Sequence, residues 1–179
     1  MQYETDSVGD LTPRTDQMTA AATLQAELFR RSAMLATAES LTGGRLGDVL
    51  SAAPGASKTY LGGVVSYATE VKQRVLGVSD RTVEEHGVVS AECAAQMATG
   101  VRALVGADYA VSTTGVAGPE SQEAKPVGLV YVAVAGPDGA VTRRFDFEGE
   151  RAEIREKAVK AAIDLVLESL VGEAAGAAG

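Results

Sequence analysis

The sequence predicts a three-layer α/β/α sandwich built on a mixed, mostly parallel sheet of about five strands. Three observations carry that expectation. Helical and strand-like stretches alternate along most of the chain. The longest apolar run, VGLVYVAVAG at 127–136, is far too short to span a bilayer and has the length of a central strand. One tight turn, Pro137-Asp138-Gly139, joins two late strands and so brings in one antiparallel strand.

The elements follow in order. Residues 1–15 are polar and read as a mobile N-terminal arm. TDQMTAAATLQAELFRRS (15–32) holds helix formers, with Met18, Leu24 and Leu28 at near-helical spacing. AMLATA (33–38) reads as a buried strand, and GRLGDVLSA (44–52) as a short helix closed by Pro54-Gly55. LGGVVSYA (61–68) is a second strand, followed by the helix TEVKQRVLG (69–77), which Gly77 stops. Thr82-Val83-Glu84-Glu85 has the form of a capping box, so a brief helix is expected to reach Gly87. Ser90 is placed to cap the helix AECAAQMATGVRALV (91–105). DYAVSTTG (108–115), VGLVYVAVA (127–135) and AVTRRFDFEG (140–149) complete the strands. The last helix, 150–171, carries Ile154, Ala158, Ala161, Leu165 and Leu170 on one stripe. Glu153–Lys157 and Glu156–Lys160 are expected as ion pairs on its exposed side. GEAAGAAG (172–179) reads as a frayed tail, which leaves 16–171 as a single domain.

Composition narrows the function classes. At 179 residues, 46% of them hydrophobic, the chain is long enough to bury one proper core. A single cysteine, Cys93, rules out an internal disulfide framework, and with one histidine, His86, it cannot build a zinc site. No metal is expected, and a reducing, cytoplasmic setting fits. The first residues, with Glu4, Asp6, Asp10 and Asp16, do not read as a secretory signal. Neither membrane nor nucleic acid is expected as a partner: a net charge of −8 is the wrong sign for a phosphate backbone. A small anionic ligand stays possible, because a pocket can be locally positive inside an acidic protein.

In sheets of this kind ligands gather beyond the carboxyl ends of the strands. Those ends here read Glu39-Ser40-Leu41-Thr42-Gly43-Gly44, then Ser66-Tyr67 with Lys72 beyond, then Thr113-Thr114-Gly115-Val116-Ala117-Gly118-Pro119. Ser40 stands between a strand and a helix N-terminus, where backbone N–H groups can hold an oxyanion or an anionic substrate group. It is a nucleophile if a base reaches it. His86 is remote in sequence, and Lys72 is the better candidate once burial lowers its pKa. Tyr67 can orient that lysine or relay a proton. On one helix the two would lie about 140° apart, so Tyr67 belongs at the strand end and Lys72 folds back from the next helix. No G-x-G-x-x-G, G-x-S-x-G, S-x-x-K or Walker loop is present.

Plainer readings stand beside each of these. Ser40 or Thr42 as a helix cap is the default from spacing alone. Lys72 reads equally as a solvated helix residue, Tyr67 as strand packing and GVAGP as a turn. His86 reads as structural or exposed, and Cys93 as a small core residue. Arg151 and Arg155, one helical turn apart, are a solvated face or a phosphate clamp. Spacing alone therefore reaches an α/β domain with a polar cleft, a serine hydrolase among its readings.

The ordered set TAESLTGG, GGVVSYATEVKQRVLGV, EEHGVVS, DYAVSTTGVAGP and KPVG resembles the C-terminal domain family of the competence/damage-inducible protein CinA, over roughly residues 22–170. The resemblance implies a stand-alone nicotinamide-nucleotide amidase that converts nicotinamide mononucleotide to nicotinate mononucleotide and ammonia. It implies Ser40 as nucleophile, Lys72 as base and Tyr67 as assisting hydroxyl, with no metal or organic cofactor. Self-association is expected. Substrate contacts are expected from Thr42 and Gly43 as oxyanion or phosphate donors, and from Gly115 and Gly118 through close backbone approach. Arg151 or Arg155 is expected at the phosphate, and Glu39 is expected to position the lysine or an arginine. The chain departs from the family's pattern at Glu120-Ser121-Gln122-Glu123-Ala124, where a glycine-rich stretch is expected before KPVG. The alternative is a catalytically silent nucleotide-binding or interaction domain of the same fold.

Overall fold

A computed structural model describes residues 15–176, with side chains through residue 172. Helix α1 (Thr15–Arg30) leads to strand β1 (Leu35–Glu39), α2 (Arg45–Ala52), one 3-10 turn (Ala56–Lys58) and β2 (Tyr60–Val65). Three helices, α3 (Thr69–Leu76), α4 (Asp80–His86) and α5 (Ala91–Val105), precede β3 (Tyr109–Gly115). The hairpin of β4 (Leu129–Gly136) and β5 (Gly139–Asp146) and the long α6 (Arg151–Gly176) follow. Residues 1–14 of the expected arm and 177–179 of the expected tail lie outside the described residues.

The five strands form one open sheet in the order β2-β1-β3-β4-β5. β1 is parallel to both β2 and β3, and β4 is antiparallel to both β3 and β5, so β4 alone runs against the rest. From β1 the chain first moves outward to β2 through α2, then crosses back over β1 to β3 through α5. Both crossovers are parallel connections, whose right-handedness sends helices to opposite faces when the direction of travel reverses. α1, α2 and α6 accordingly pack on one face, over Leu35, Val111, Val130, Val132 and Val134. On the other face, α5 and the end of α3 cover Ala36, Ala38 and Ala110. The strand order reverses between β1 and β3, and the crevice of such a switch point lies beyond their carboxyl ends.

Close backbone contact brings α3 into place. A Cβ on Gly100 of α5 would lie 1.8 Å from the carbonyl oxygen of Leu76, at the end of α3. Only glycine lets these two helices approach so closely. One turn earlier on α3 stands Lys72.

Several local expectations are corrected by long-range contacts. β1 begins two residues late and extends through Glu39, which pairs with Val65 on one side and Thr113 on the other. α4 is capped by Ser79, whose hydroxyl accepts the N–H of Thr82 at 3.1 Å, so Thr82 lies inside the helix rather than at its cap. The two ion pairs expected along α6 are replaced. Lys160 pairs with Asp164, Glu156 meets Arg45, and Lys157 donates to the carbonyl of Glu148. α6 also runs five residues past the expected end at 171. No helix among the described residues is long and apolar enough to cross a membrane.

Candidate active site

The turn after β1 is built by a carboxylate that the sequence placed in another role. Glu39 is buried on the face of β1 that looks toward α2. Its Oε2 accepts the N–H groups of Gly44 and Leu46 at 2.9 and 3.0 Å, and its Oε1 accepts that of Gly47 at 2.8 Å. These are orphan donors of the first turn of α2, and a negative charge there also meets the positive end of the helix dipole. Glu39 is thus the cap of α2: it makes no hydrogen bond to Lys72 or to an arginine, and only its charge acts on Arg155. With the helix capped from the strand, Ser40 does not have to cap it.

Ser40 is pinned at both ends of the turn. Its N–H donates to Thr113 O at 3.0 Å, and its carbonyl accepts the N–H of Gly43 at 3.1 Å. Gly43 and Gly44 have φ of 58° and 95°, the left-handed backbone that glycine enters without a Cβ clash. The hydroxyl of Thr42 meets that of Thr113 at 2.8 Å, fully buried, which ties the turn to β3. The Thr42 hydroxyl and the Gly43 N–H are therefore spent on the turn: the hydroxyl faces inward and the N–H closes the loop. The N–H groups of Leu41 and Thr42, the turn's two central residues, find no acceptor among the described residues.

Lys72 reaches this turn from α3. Its Nζ lies 3.0 Å from Ser40 Oγ, 2.7 Å from Ser66 O and 3.1 Å from Tyr67 O. The residue is 1% exposed, and burial pushes its amine below the ordinary lysine range. Cys93 lies nearby, but burial raises its thiol to about 11, so it supplies no anion at neutral pH. All three acceptors around the amine are uncharged. A neutral amine has two N–H donors for the two carbonyls and one lone pair for the serine hydroxyl. This arrangement lets a lysine serve as base.

Tyr67 enters differently from the expectation. Its carbonyl, not its hydroxyl, touches Lys72. The ring is exposed, and the hydroxyl accepts from Arg151 Nη2 at 3.1 Å. Arg151 also donates to the carbonyl of Gly118. Ser40, Leu41, Tyr67, Lys72, Gly115, Gly118 and Arg151 line a common cavity of about 120 Å3. Larger grooves of about 340 and 400 Å3 run along α6 and β5, with no serine–lysine pair in either.

Gly115, Gly118 and Arg155 also have structural roles. A Cβ on Gly115 would collide with the backbone of Leu129 and Val130, so its smallness also lets β3 and β4 pair. A Cβ on Gly118 would meet Val127. Arg155 lies on the far side of the Ser40 turn, where its Nη2 donates to Thr42 O at 2.8 Å. Burial and the charges of Arg45 and Arg151 lower its pKa. It supports the turn from behind and does not line the cavity.

Sequence reading missed Val88 and Val89. Val88 and Val89 line the cavity together with Thr114, Val116, Glu120 and Gln122. Thr114 Oγ1 donates to Val88 O at 2.6 Å, and Glu123 accepts from the N–H groups of Val88 and Val89. The only signal was EEHGVVS itself, whose apolar pair carries no chemistry to read. No group of three or more His, Cys, Asp or Glu among the described residues could hold a metal ion.

The fold and site define an α/β protein with a serine hydroxyl 3.0 Å from a buried lysine amine, in a small polar cleft at the switch point of the sheet. The chain belongs to the CinA C-terminal domain family, whose model matches residues 17–170. It is 53% identical over 145 residues to a CinA-like protein of Frankia casuarinae, covering 81% of this chain and 34% of that relative. It is 47% identical over 139 residues to a putative competence-damage inducible protein of Desulforamulus reducens, covering 78% and 34%. The chain thus spans about a third of the length of these relatives. Among solved structures, a competence-damaged protein (CinA) superfamily protein from Klebsiella pneumoniae superposes with a TM-score of 0.85 at 34% identity, covering 87% of this chain and 98% of that one. A competence/damage inducible protein from Agrobacterium tumefaciens gives 0.85 at 33% identity, covering 89% and 98%.

Proposed function

We propose that the protein is an amidase that hydrolyses the carboxamide of nicotinamide mononucleotide to nicotinate mononucleotide and ammonia. The observation that carries the reading is the 3.0 Å contact between Ser40 Oγ and the buried Lys72 amine, whose pKa burial lowers. Neutral Lys72 takes the Ser40 proton as Oγ attacks the amide carbon. The N–H groups of Leu41 and Thr42 are the available donors for the resulting oxyanion. The Lys72 ammonium then gives its proton to the departing nitrogen, and ammonia leaves an ester on Ser40. Water, deprotonated by the same amine, attacks that ester and releases the acid and the free hydroxyl. One amide and one water become one acid and one ammonia, and Lys72 returns to its starting state.

The Arg151 side chain, already at the cavity and bonded to Tyr67, is the cation proposed to meet the nucleotide's phosphate. Tyr67 then acts through Arg151 and through its carbonyl on Lys72. The decisive experiment incubates pure protein with nicotinamide mononucleotide in chelator and follows ammonia and nicotinate mononucleotide. Turnover lost in Ser40→Ala and Lys72→Ala supports the reading. A folded wild type that binds the nucleotide and releases no ammonia overturns it in favour of a silent binding domain.

A further inference from the structure

Glu123 stands in a loop whose backbone does not suit its side chain. Glu123 and Ala124 have φ of 53° and 56°, two successive left-handed residues, and neither is glycine. They are the central pair of a two-residue turn closed by Gln122 and Lys125, which exchange both backbone bonds at 2.8 and 3.3 Å. L-residues enter this region against a Cβ–carbonyl clash. Something outside the turn must hold it.

The Glu123 side chain supplies that hold. Its Oε1 accepts the N–H of Val88 at 2.9 Å, and its Oε2 accepts the N–H of Val89 at 3.2 Å. Lys125 pairs with Oε2 at 3.1 Å and donates to the carbonyl of His86 at 2.7 Å. Gly87 leaves the room: a Cβ there would lie 2.3 Å from Glu123 Oε2. Bonds to a carboxylate are the stronger kind. Segment 86–89 is thereby fastened to the turn 122–125 at three points. Val88 is held at both backbone groups, by Glu123 at its N–H and by Thr114 at its carbonyl.

Both fastened segments face the Ser40–Lys72 cavity, where Val88 and Val89 form one wall and Gln122 lies on the other strand of the loop. We propose that Glu123 is a positioning residue for this site: its carboxylate fixes the Val88–Val89 wall and so sets how tightly the nucleotide is held. The inference rests on the amidase reading above. It makes substrate affinity depend on a side chain that does not itself line the cavity.

The test is Glu123→Gly. Glycine suits a φ of 53°. The turn's backbone is therefore kept while the carboxylate is lost. The Kd for nicotinamide mononucleotide is measured by calorimetry in a Ser40→Ala background, and kcat and KM in the catalytically intact chain. The expected result is a rise in Kd and KM on the order of tenfold, with kcat changed by less than about threefold. Glu123→Gln, which keeps one acceptor oxygen, falls between the two. Lys125→Gln, which leaves the carboxylate in place without its cation, shifts Kd in the same direction by less and serves if the glycine variant does not fold. An unchanged Kd in folded Glu123→Gly, with or without a lower melting temperature, overturns the proposal and leaves the amidase reading standing. A wild type that neither binds nor hydrolyses the nucleotide sinks both.

Discussion

The carboxylate of Glu39 accepts the N–H of Gly47 at 2.8 Å, so the last residue of β1 caps the helix that follows the serine turn. This relationship separates two jobs that the local sequence allows one residue to hold. The cap lies on the strand, and Ser40, one position on, keeps its hydroxyl for Lys72. Glu39→Ala leaves three buried or part-buried N–H groups without their acceptor and is expected to cost about 2–4 kcal/mol. Glu39→Gln, with one acceptor oxygen instead of two, is expected to lose about half of that. Urea unfolding followed by circular dichroism measures both. A Glu39→Ala variant as stable as wild type would mean that the helix end finds other partners.

Removing the hydroxyl or the amine separates chemistry from fold. Ser40→Ala and Lys72→Ala are each expected to lower kcat by on the order of 10³-fold or more. The double variant is expected to lose little beyond either single one, because the two groups act as a unit. Ammonia release read against melting temperature distinguishes this from a loss of folded protein.

The pH dependence follows from the direction of the Lys72 shift. Burial favours the neutral amine, so kcat/KM is expected to rise with pH along a limb whose midpoint lies below the ordinary lysine value of 10.5. The same shift has a sign for stability. Between the folded and unfolded pKa values the unfolded chain binds more protons, so stability gains as pH rises through that window. Wild type is therefore expected to gain on Lys72→Met as pH increases toward 10.5. A stability difference that is flat with pH over that window contradicts a depressed amine.

Thr42 and Thr113 test the attachment of the turn to β3. Thr42→Val leaves the Thr113 hydroxyl buried and unpaired, at an expected cost of about 1–3 kcal/mol. Adding Thr113→Val is expected to recover part of that cost, since an apolar pair replaces an orphaned group. Strictly additive losses in a double-mutant cycle would deny the bond its role.

Arg151 and Arg155 are expected to part company although they stand one turn apart on α6. Arg151→Met is expected to raise KM for nicotinamide mononucleotide by about tenfold or more while leaving stability within about 0.5 kcal/mol. Arg155→Met frees the carbonyl of Thr42 and is expected to act mainly on stability. Kinetics that respond equally to both variants would argue against Arg151 as the phosphate cation.

Much of the fold was legible because burial writes itself into local pattern. Apolar runs such as LVYVAVA, and a helix ended by Gly77, declare the layers without reference to distant residues. The site was legible in part. Small polar residues at strand ends pointed to the crevice, and Ser40 and Lys72 stood out there. Less was readable wherever one chemical type fits several local roles. A glutamate beside a serine turn can cap, pair or bind, and a threonine three residues before a glutamate can start a helix or continue one. Thr82 continued one because Ser79, with its extended backbone, took the cap.

The sequence by itself determined the alternation of layers, the single reversed strand and the placing of a serine beyond a buried strand, because these rest on periodicity and turn chemistry within a few residues. The folded chain decided which groups meet. Lys72 reaches Ser40 across 32 residues because Gly100 lets α5 and α3 close together. The Tyr67 hydroxyl turns to an arginine 84 residues away, and Glu123 fastens a wall 35 residues earlier in the chain. Such pairings depend on how helices cross a sheet and on which backbone groups burial leaves unpaired, and spacing along the chain records neither.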